Sequence, residues 1–178
     1  MHLSVTGKCV CFPDMSINII ELIPEDWSSF RAIRLRALED APKAFGSTLA
    51  REKGYTENEW IQMLEKTSHQ AFIARKGTVE PVGLVVAGPY DHCAGLYSMW
   101  VDPACRGEGI GKALVQSVIG WAKKKGFAEL LLDVTDENGA AIALYHACGF
   151  KETGVQGTLP PPRQHVKEHQ LGIKLLDL

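Results

Sequence analysis

The fold of this chain turns on Val101-Asp-Pro-Ala-Cys-Arg-Gly-Glu-Gly-Ile-Gly-Lys112, a β-type segment running into a glycine-rich turn that opens a helix. A helix start leaves several backbone N–H groups without partners, and its dipole places partial positive charge there. Gly107, Gly109 and Gly111 remove side chains that would hold a phosphate away from those N–H groups. Arg106 and Lys112 add full positive charge on either side, with Glu108 and Ile110 between the glycines. The stretch has the makings of a diphosphate site. A glycine turn with no ligand is the plain alternative.

Two other phosphate-binding patterns fit poorly. A dinucleotide fold wants G-x-G-x-x-G after the first strand and an acidic residue about 20 residues on. Here the spacing is wrong and the motif lies past the middle of the chain. A P-loop needs Ser or Thr after Gly-Lys, and Gly111-Lys112 is followed by Ala113. The flanks do suit a strand-to-helix junction. Residues 94–101 are rich in β-formers and Pro103 stops them. Ile110, Ala113, Leu114, Ser117, Val118, Trp121 and Ala122 recur at three- and four-residue steps, which predicts an amphipathic helix. Lys123-Lys-Lys125 suits the last turn of that helix better than a nucleic-acid patch, and Gly126 suits its left-handed end.

A second block lies about 30 residues downstream. Residues 128–134 form a short apolar run with the length of a buried strand. Asn138 is placed to cap a helix over 139–147, and Gly149 to close it. Arg106-x-x-Gly109-x-Gly111 resembles the (Q/R)-x-x-G-x-(G/A) signature of the GNAT superfamily of N-acetyltransferases. Asn138-Gly-Ala-Ala-Ile-Ala-Leu-Tyr-His-Ala-Cys-Gly-Phe150 is similar to that family's N-x-x-A-x-x-L-Y-x-x-x-G-F segment.

The resemblance implies an α/β (mixed α+β) GNAT fold, a central twisted mixed sheet of about seven strands with helices on both faces. It implies acetyl-coenzyme A as co-substrate and no metal. The central strands 94–101 and 128–134 would splay, and the backbone of Met99 and Val101, flanking Trp100, would pair with the pantetheine arm in the gap. Arg106, Gly107, Glu108, Gly109, Ile110, Gly111 and Lys112 would hold the pyrophosphate, and the Asn138 side chain would meet the cofactor nearby. Tyr145 matches the family tyrosine that protonates the departing thiolate; its plain alternative is a helix-face aromatic packed on the sheet. A phenol near 10 is a mild acid for a thiol near 8.5, so position matters more than acidity.

The remaining elements agree with that order. A first strand is expected over 17–23, a helix from Pro24 with an apolar side of Phe30, Ile33, Leu35 and Leu38 and with Arg31, Arg34 and Arg36 supplying charge, and a break at 40–46. A second helix is expected over about 56–66, an antiparallel pair at 71–74 and 82–87 turning at Lys76-Gly77, and a last strand at 170–175. At 178 residues and 46% apolar, the chain reads as one domain over 16–178 behind a poorly ordered tail, 1–15, in which Met15 is an alternative start. A net charge of −2 gives no global attraction to nucleic acid or anionic membrane, and neither is an expected partner. The five cysteines lack zinc spacing and suit reduced thiols in a cytoplasmic protein.

Acceptor identity is the least legible part. Arg36, Pro42, Phe45, Gly46 and Ser47 with the loop 160–164 are expected to wall the acceptor site, and Phe45 suits either a pocket or the core. An obvious acidic cluster for a polycation is missing from the linear sequence. A small-molecule amine or amino acid is the first expectation and a protein or peptide amino group the second. A non-catalytic acyl-coenzyme A sensor is the third, and the resemblance also allows a homodimer. An amine near 10.4 must lose a proton before attack. Glu52, Asp91 and His92 lie in segments that could reach the acceptor side, but each reads more readily as a solvated loop residue, and no base is assigned.

Overall fold

The computed structural model describes residues 16–77 and 80–176. The expected tail over 1–15, with Cys9, Cys11 and Met15, lies outside the described residues.

Seven strands form one sheet in the order β1-β2-β3-β4-β5-β7-β6. They are β1 (Ile17–Glu21), β2 (Gln70–Lys76), β3 (Gly83–Tyr90), β4 (Cys93–Val101), β5 (Glu129–Thr135), β6 (Lys151–Thr158) and β7 (Lys167–Lys174). Every neighbouring pair is antiparallel except β4 and β5. This is the expected mixed sheet. The last strand starts at Lys167, earlier than its apolar pattern predicts. Pairing with β5 on one side and β6 on the other supplies backbone hydrogen bonds that its polar first residues do not advertise.

Helices cover both faces. On one lie α1 (Trp27–Asp40), α2 (Leu49–Lys53) and α3 (Glu57–Glu65), the first preceded by a 3-10 turn at Pro24–Asp26. The short α2 is an addition to the sequence reading. Its five residues are too few for a periodic signal, and it is fixed by the Thr48 cap on the Arg51 N–H and by burial of Glu52. Thr56 and Glu59 close a reciprocal cap at the start of α3. On the opposite face lie α4 (Ile110–Lys124) and α5 (Gly139–Ala147). Leu114, Val115, Val118 and Trp121 of α4 bury against Phe72, Val85, Leu96 and Leu130 of the sheet. Phe30, Ile33 and Trp60 of α1 and α3 bury against Ile73, Leu84 and Trp100.

Trp100 reveals a feature the sequence hides. Ala94 and Leu96 face α4, and two-residue alternation would send Trp100 there as well. The β3–β4 register instead shifts between Leu84 and Val86, and Ser98 adopts φ +56° at that bulge. The extra residue reverses the alternation, so Met99 and Val101 pack toward α4 while Trp100 packs toward α1.

Candidate active site

The glycine turn behaves as two pieces. Gly107 and Gly109 take φ of +81° and +86°, which L-residues rarely adopt, and a Cβ on either would meet no atom within 4 Å. Gly109 is also the N-cap of α4, so no side chain satisfies the first N–H groups of the helix, and no acid sits in its first turn. Ala113 is the first residue whose N–H reaches back, to the Gly109 carbonyl. The N–H groups of residues 110–112 lack helical acceptors, and the space around Gly107 and Gly109 just before them is open. That cradle fits a diphosphate. Gly111 has a different job: a Cβ there would lie 2.9 Å from Leu144 and 3.4 Å from Met99, so its smallness lets α4 approach α5 and β4.

Arg106 and Glu108 of the turn are already engaged. Arg106 donates from Nε to the Val101 carbonyl at 3.0 Å and from Nη2 to Asp40 at 3.0 Å, the same carboxylate that accepts the Trp100 indole N–H at 2.9 Å. Glu108 pairs with Lys76 at 2.7 Å. Ile110 is buried in the core, and Lys112 is exposed.

Beyond the turn, β4 and β5 pair only at Ala94–Leu130 and Gly95–Leu131. From Leu96 onward the β5-facing edge of β4 has no strand partner, which leaves its backbone polar groups available to an extended ligand. A cavity of about 250 Å³ opens there, lined by Ser98 and Met99 of β4, Asp133 and Thr135 of β5, and Asn138 and Tyr145 of α5, among others. Asn138 caps α5 through Oδ1, accepting the Ala141 N–H at 3.2 Å, and its amide Nδ2 has no bond among the described residues. Tyr145 is only 5% exposed, its ring 5.8 Å from Phe150, yet it borders the cavity. The ring packs in the core, as the plain alternative has it, and the hydroxyl has no hydrogen-bond partner among the described residues. Burial, then the neighbouring Cys148 thiol, raises its pKa above the ordinary phenol value. Trp100 does not line the cavity, and its indole belongs to the α1 side.

Side chains from distant segments wall the other side of the cavity. Arg34 of α1 and Glu52 of α2 are 8% and 4% exposed, and the guanidinium donates from Nε at 2.9 Å and Nη2 at 2.8 Å to the two carboxylate oxygens. This corrects the reading of Glu52 as a solvated loop residue: its carboxylate is buried and committed. The third arm of Arg34 donates to Ser98 Oγ at 3.2 Å, and the guanidinium lies 4.8 Å over the Phe45 ring. Phe45 is thus both core and cavity wall. Asp91 and His92 form the exposed turn between β3 and β4. Arg36 pairs with Asp102 and the Pro81 carbonyl, away from the cavity. Arg163 ties the two expected wall loops together, donating to the Pro42 carbonyl at 2.6 Å and the Ser47 carbonyl at 3.4 Å.

The fold also assembles an acidic, aromatic wall that the linear sequence conceals. Asp133 is paired in register with Gln170 and Thr135 with Glu168, so alternation puts all four side chains on one face. Tyr90 donates to Asp133 at 2.9 Å, accepts from Gln170 at 2.9 Å, and stacks on Tyr97 with centroids 6.3 Å apart. Burial first, then Tyr90, Asp133 and Asp91, pushes the Tyr97 phenol up to about 12. Glu168 is half-buried, and burial followed by Asp133 raises its carboxyl above the usual range, with Arg163 opposing. Asp133 and Glu168 are the two carboxylates lining the cavity. Register pairing across a sheet, invisible before the strands are aligned, was the missing signal.

The split sheet and its uncapped, glycine-led helix place the chain among acyltransferase-type α/β proteins. More narrowly, it belongs to the Acetyltransferase (GNAT) family, whose family model matches residues 29–150. It is similar to the mycothiol acetyltransferase of Renibacterium salmoninarum, 28% identical over 142 residues that make up 76% of this chain and 40% of that one. It is 40% identical over 68 residues to the [ribosomal protein bS18]-alanine N-acetyltransferase of Escherichia coli (strain K12), covering 38% of this chain and 46% of that one. The chain spans between 26% and 50% of the length of the curated relatives it matches. Among solved structures, a GNAT-family acetyltransferase from Streptococcus pneumoniae superposes with a TM-score of 0.73 at 22% identity, over 89% of this chain and 99% of that one. Among the described residues no group of His, Cys, Asp or Glu is arranged to hold a metal ion, and no helix is long and apolar enough to cross a membrane.

Proposed function

We propose that this protein transfers the acetyl group of acetyl-coenzyme A directly to a primary amine of a small molecule or amino acid. The observation that carries the reading is Tyr145, whose ring is buried while its hydroxyl, without a hydrogen-bond partner among the described residues, borders the cavity beside the unpaired edge of β4. The thioester supplies an activated acetyl carbon. The free N–H groups at residues 110–112 hold the pyrophosphate, and the unpaired edge of β4 holds the pantetheine arm. A backbone N–H on that edge meets the carbonyl oxygen as it gains charge. The amine attacks the carbonyl carbon, the C–N bond forms, and the C–S bond breaks. Tyr145 gives its proton to the departing sulfur and regains one from the acylated nitrogen. A phenol holds its proton across the neutral range, and burial raises its pKa further, so the donor depends on its placement rather than on its acidity.

A second reading, transfer to a protein or peptide amino group, draws support from the similarity to the ribosomal-protein-alanine acetyltransferase. The cavity of about 250 Å³ admits one residue-sized head in either case. A sensor that only binds acyl-coenzyme A would have no use for an unpartnered phenol hydroxyl facing the cavity.

The test is thermal shift and calorimetry with acetyl-coenzyme A, coenzyme A, ATP and NAD on the wild type and on Gly109→Glu. At about 100 times Kd a ligand adds roughly 2.7 kcal/mol of stability. Acetyl-coenzyme A should stabilise the wild type, and ATP and NAD should not. Gly109→Glu puts a strained, anionic side chain in the cradle; it should stay folded, at a strain of about 1–2 kcal/mol, and lose the ligand-induced shift. No shift with either coenzyme A species would overturn the reading.

A further inference from the structure

We propose that Glu168, on β7, is the general base that takes the proton from the acceptor's ammonium group. The inference rests on the acetyl-transfer reading above and names the residue that reading lacks.

A base for this reaction must border the acceptor cavity, keep its carboxylate uncommitted, and hold a proton affinity that lets it accept from an ammonium near neutral pH. Two carboxylates border the cavity. Asp133 already accepts the Tyr90 hydroxyl at 2.9 Å and is exposed to water. The Glu168 carboxylate has no hydrogen bond or ion pair among the described residues, and the residue is half-buried. Glu52, the nearest other acid, spends both oxygens on Arg34.

The charged and titratable groups around Glu168 come from several elements, and each has a definite sense. Asp133 on β5 repels its charge and Arg163 in the preceding loop attracts it, the repulsion and burial being the larger. Tyr145 on α5 and Tyr97 on β4 border the cavity as neutral phenols, and Arg34 on α1 is neutralised by Glu52. The result is a carboxylate that binds a proton more readily than an exposed one. Nothing in the fold's hydrogen bonding explains why an unpartnered acid is held there. Its neighbour His169 faces the other way, to Asp136 at 2.8 Å.

The proton balance closes. Glu168 takes one proton from R–NH3+, and the neutral amine attacks. As the tetrahedral adduct collapses, the second nitrogen proton reaches the sulfur through Tyr145. Glu168 then releases its proton to water, which gives one amide, one thiol and one H+ per turnover.

The test uses two probe acceptors of similar size. Ethylamine is protonated at pH 7, whereas trifluoroethylamine is largely neutral there and does not need a base before attack. In Glu168→Gln, kcat/KM for ethylamine should fall by about 10²-fold or more, and the acid limb of its pH profile should vanish. With trifluoroethylamine the same variant should lose less than about tenfold. Acetyl-coenzyme A binding should be unchanged. Asp133→Asn should keep the acid limb and move it to lower pH, because a repelling charge is gone. Equal losses on both amines, or a limb abolished by Asp133→Asn and retained in Glu168→Gln, would overturn the assignment of Glu168. A wild type that binds acetyl-coenzyme A yet acetylates neither amine would instead overturn the small-amine reading beneath it.

Discussion

The two ends of the cleft are built from different materials. The end proposed to bind the donor is a backbone device: one continuous stretch, residues 101–112, with two left-handed glycines and a helix start that no side chain caps. The end proposed for the acceptor is a side-chain device: Arg34, Phe45, Ser98, Asp133, Tyr145 and Glu168 come from separate segments of the chain. A backbone device tolerates changes in side chains but not in chain conformation. A side-chain device behaves the other way round, and it depends on buried charges that are stable only when satisfied. The helices α1 to α3 pack over the β1–β4 half of the sheet, while Asp133 and Glu168 lie on the β5–β7 half.

The largest expected effect breaks the acceptor side through its buried ion pair. Glu52→Ala leaves the Arg34 guanidinium buried without a counter-charge, which costs about 3–5 kcal/mol. For a chain of this size that is roughly 2–4 °C of Tm for each kcal/mol. The double variant Arg34→Met with Glu52→Leu should recover most of that stability, since an apolar replacement of the pair avoids the unpaired charge. Denaturant unfolding of the three proteins reads both numbers. A loss under about 1 kcal/mol in Glu52→Ala would show the pair to behave as a solvated one.

Next in size is the residue where the two ends meet. Tyr145→Phe removes a hydroxyl that has no partner among the described residues, so folding should lose little. Turnover should drop about 10²-fold, with acetyl-coenzyme A affinity unchanged. The raised phenol pKa carries a sign that can be checked: Tyr145 loses its proton only above the ordinary value near 10. The wild-type rate should therefore show no alkaline fall from this group below about pH 10. An unchanged kcat in Tyr145→Phe would leave the residue as a core aromatic alone.

That same division governs what could be read from the sequence. The donor turn, α4 and α5 were legible because each is local: the glycine positions, the Asn138 cap and the helix over 139–147 depend on neighbours a few residues away. The mixed sheet and helices on both faces were expected from the family resemblance that those elements carry. The bulge at Ser98 was not legible, because a one-residue slip depends on the partner strand. Nor was the burial of Glu52, which depends on Arg34 across the fold, 18 residues away. The wall formed by Asp133 and Glu168 required the β5–β7 register. Arg106 lies between these cases. Its position in the signature was readable, but its commitment to Asp40, 66 residues away, was not.

Arg106 accordingly gives the smallest and sharpest comparison. If the donor end is a backbone device, its guanidinium supports the turn more than it binds the ligand, since it is held by the Val101 carbonyl and Asp40. Arg106 and Asp40 are half-exposed, and an ion pair of that kind contributes only about 0–1 kcal/mol. Arg106→Ala should thus weaken acetyl-coenzyme A by no more than about tenfold, and the change should shrink as salt is raised. Gly109→Ala, which adds no charge and only strains the turn at φ +86°, should weaken it more. Calorimetric titration of the two variants side by side decides the matter. A larger loss in Arg106→Ala would make the cradle a side-chain site after all and erase the contrast between the two ends.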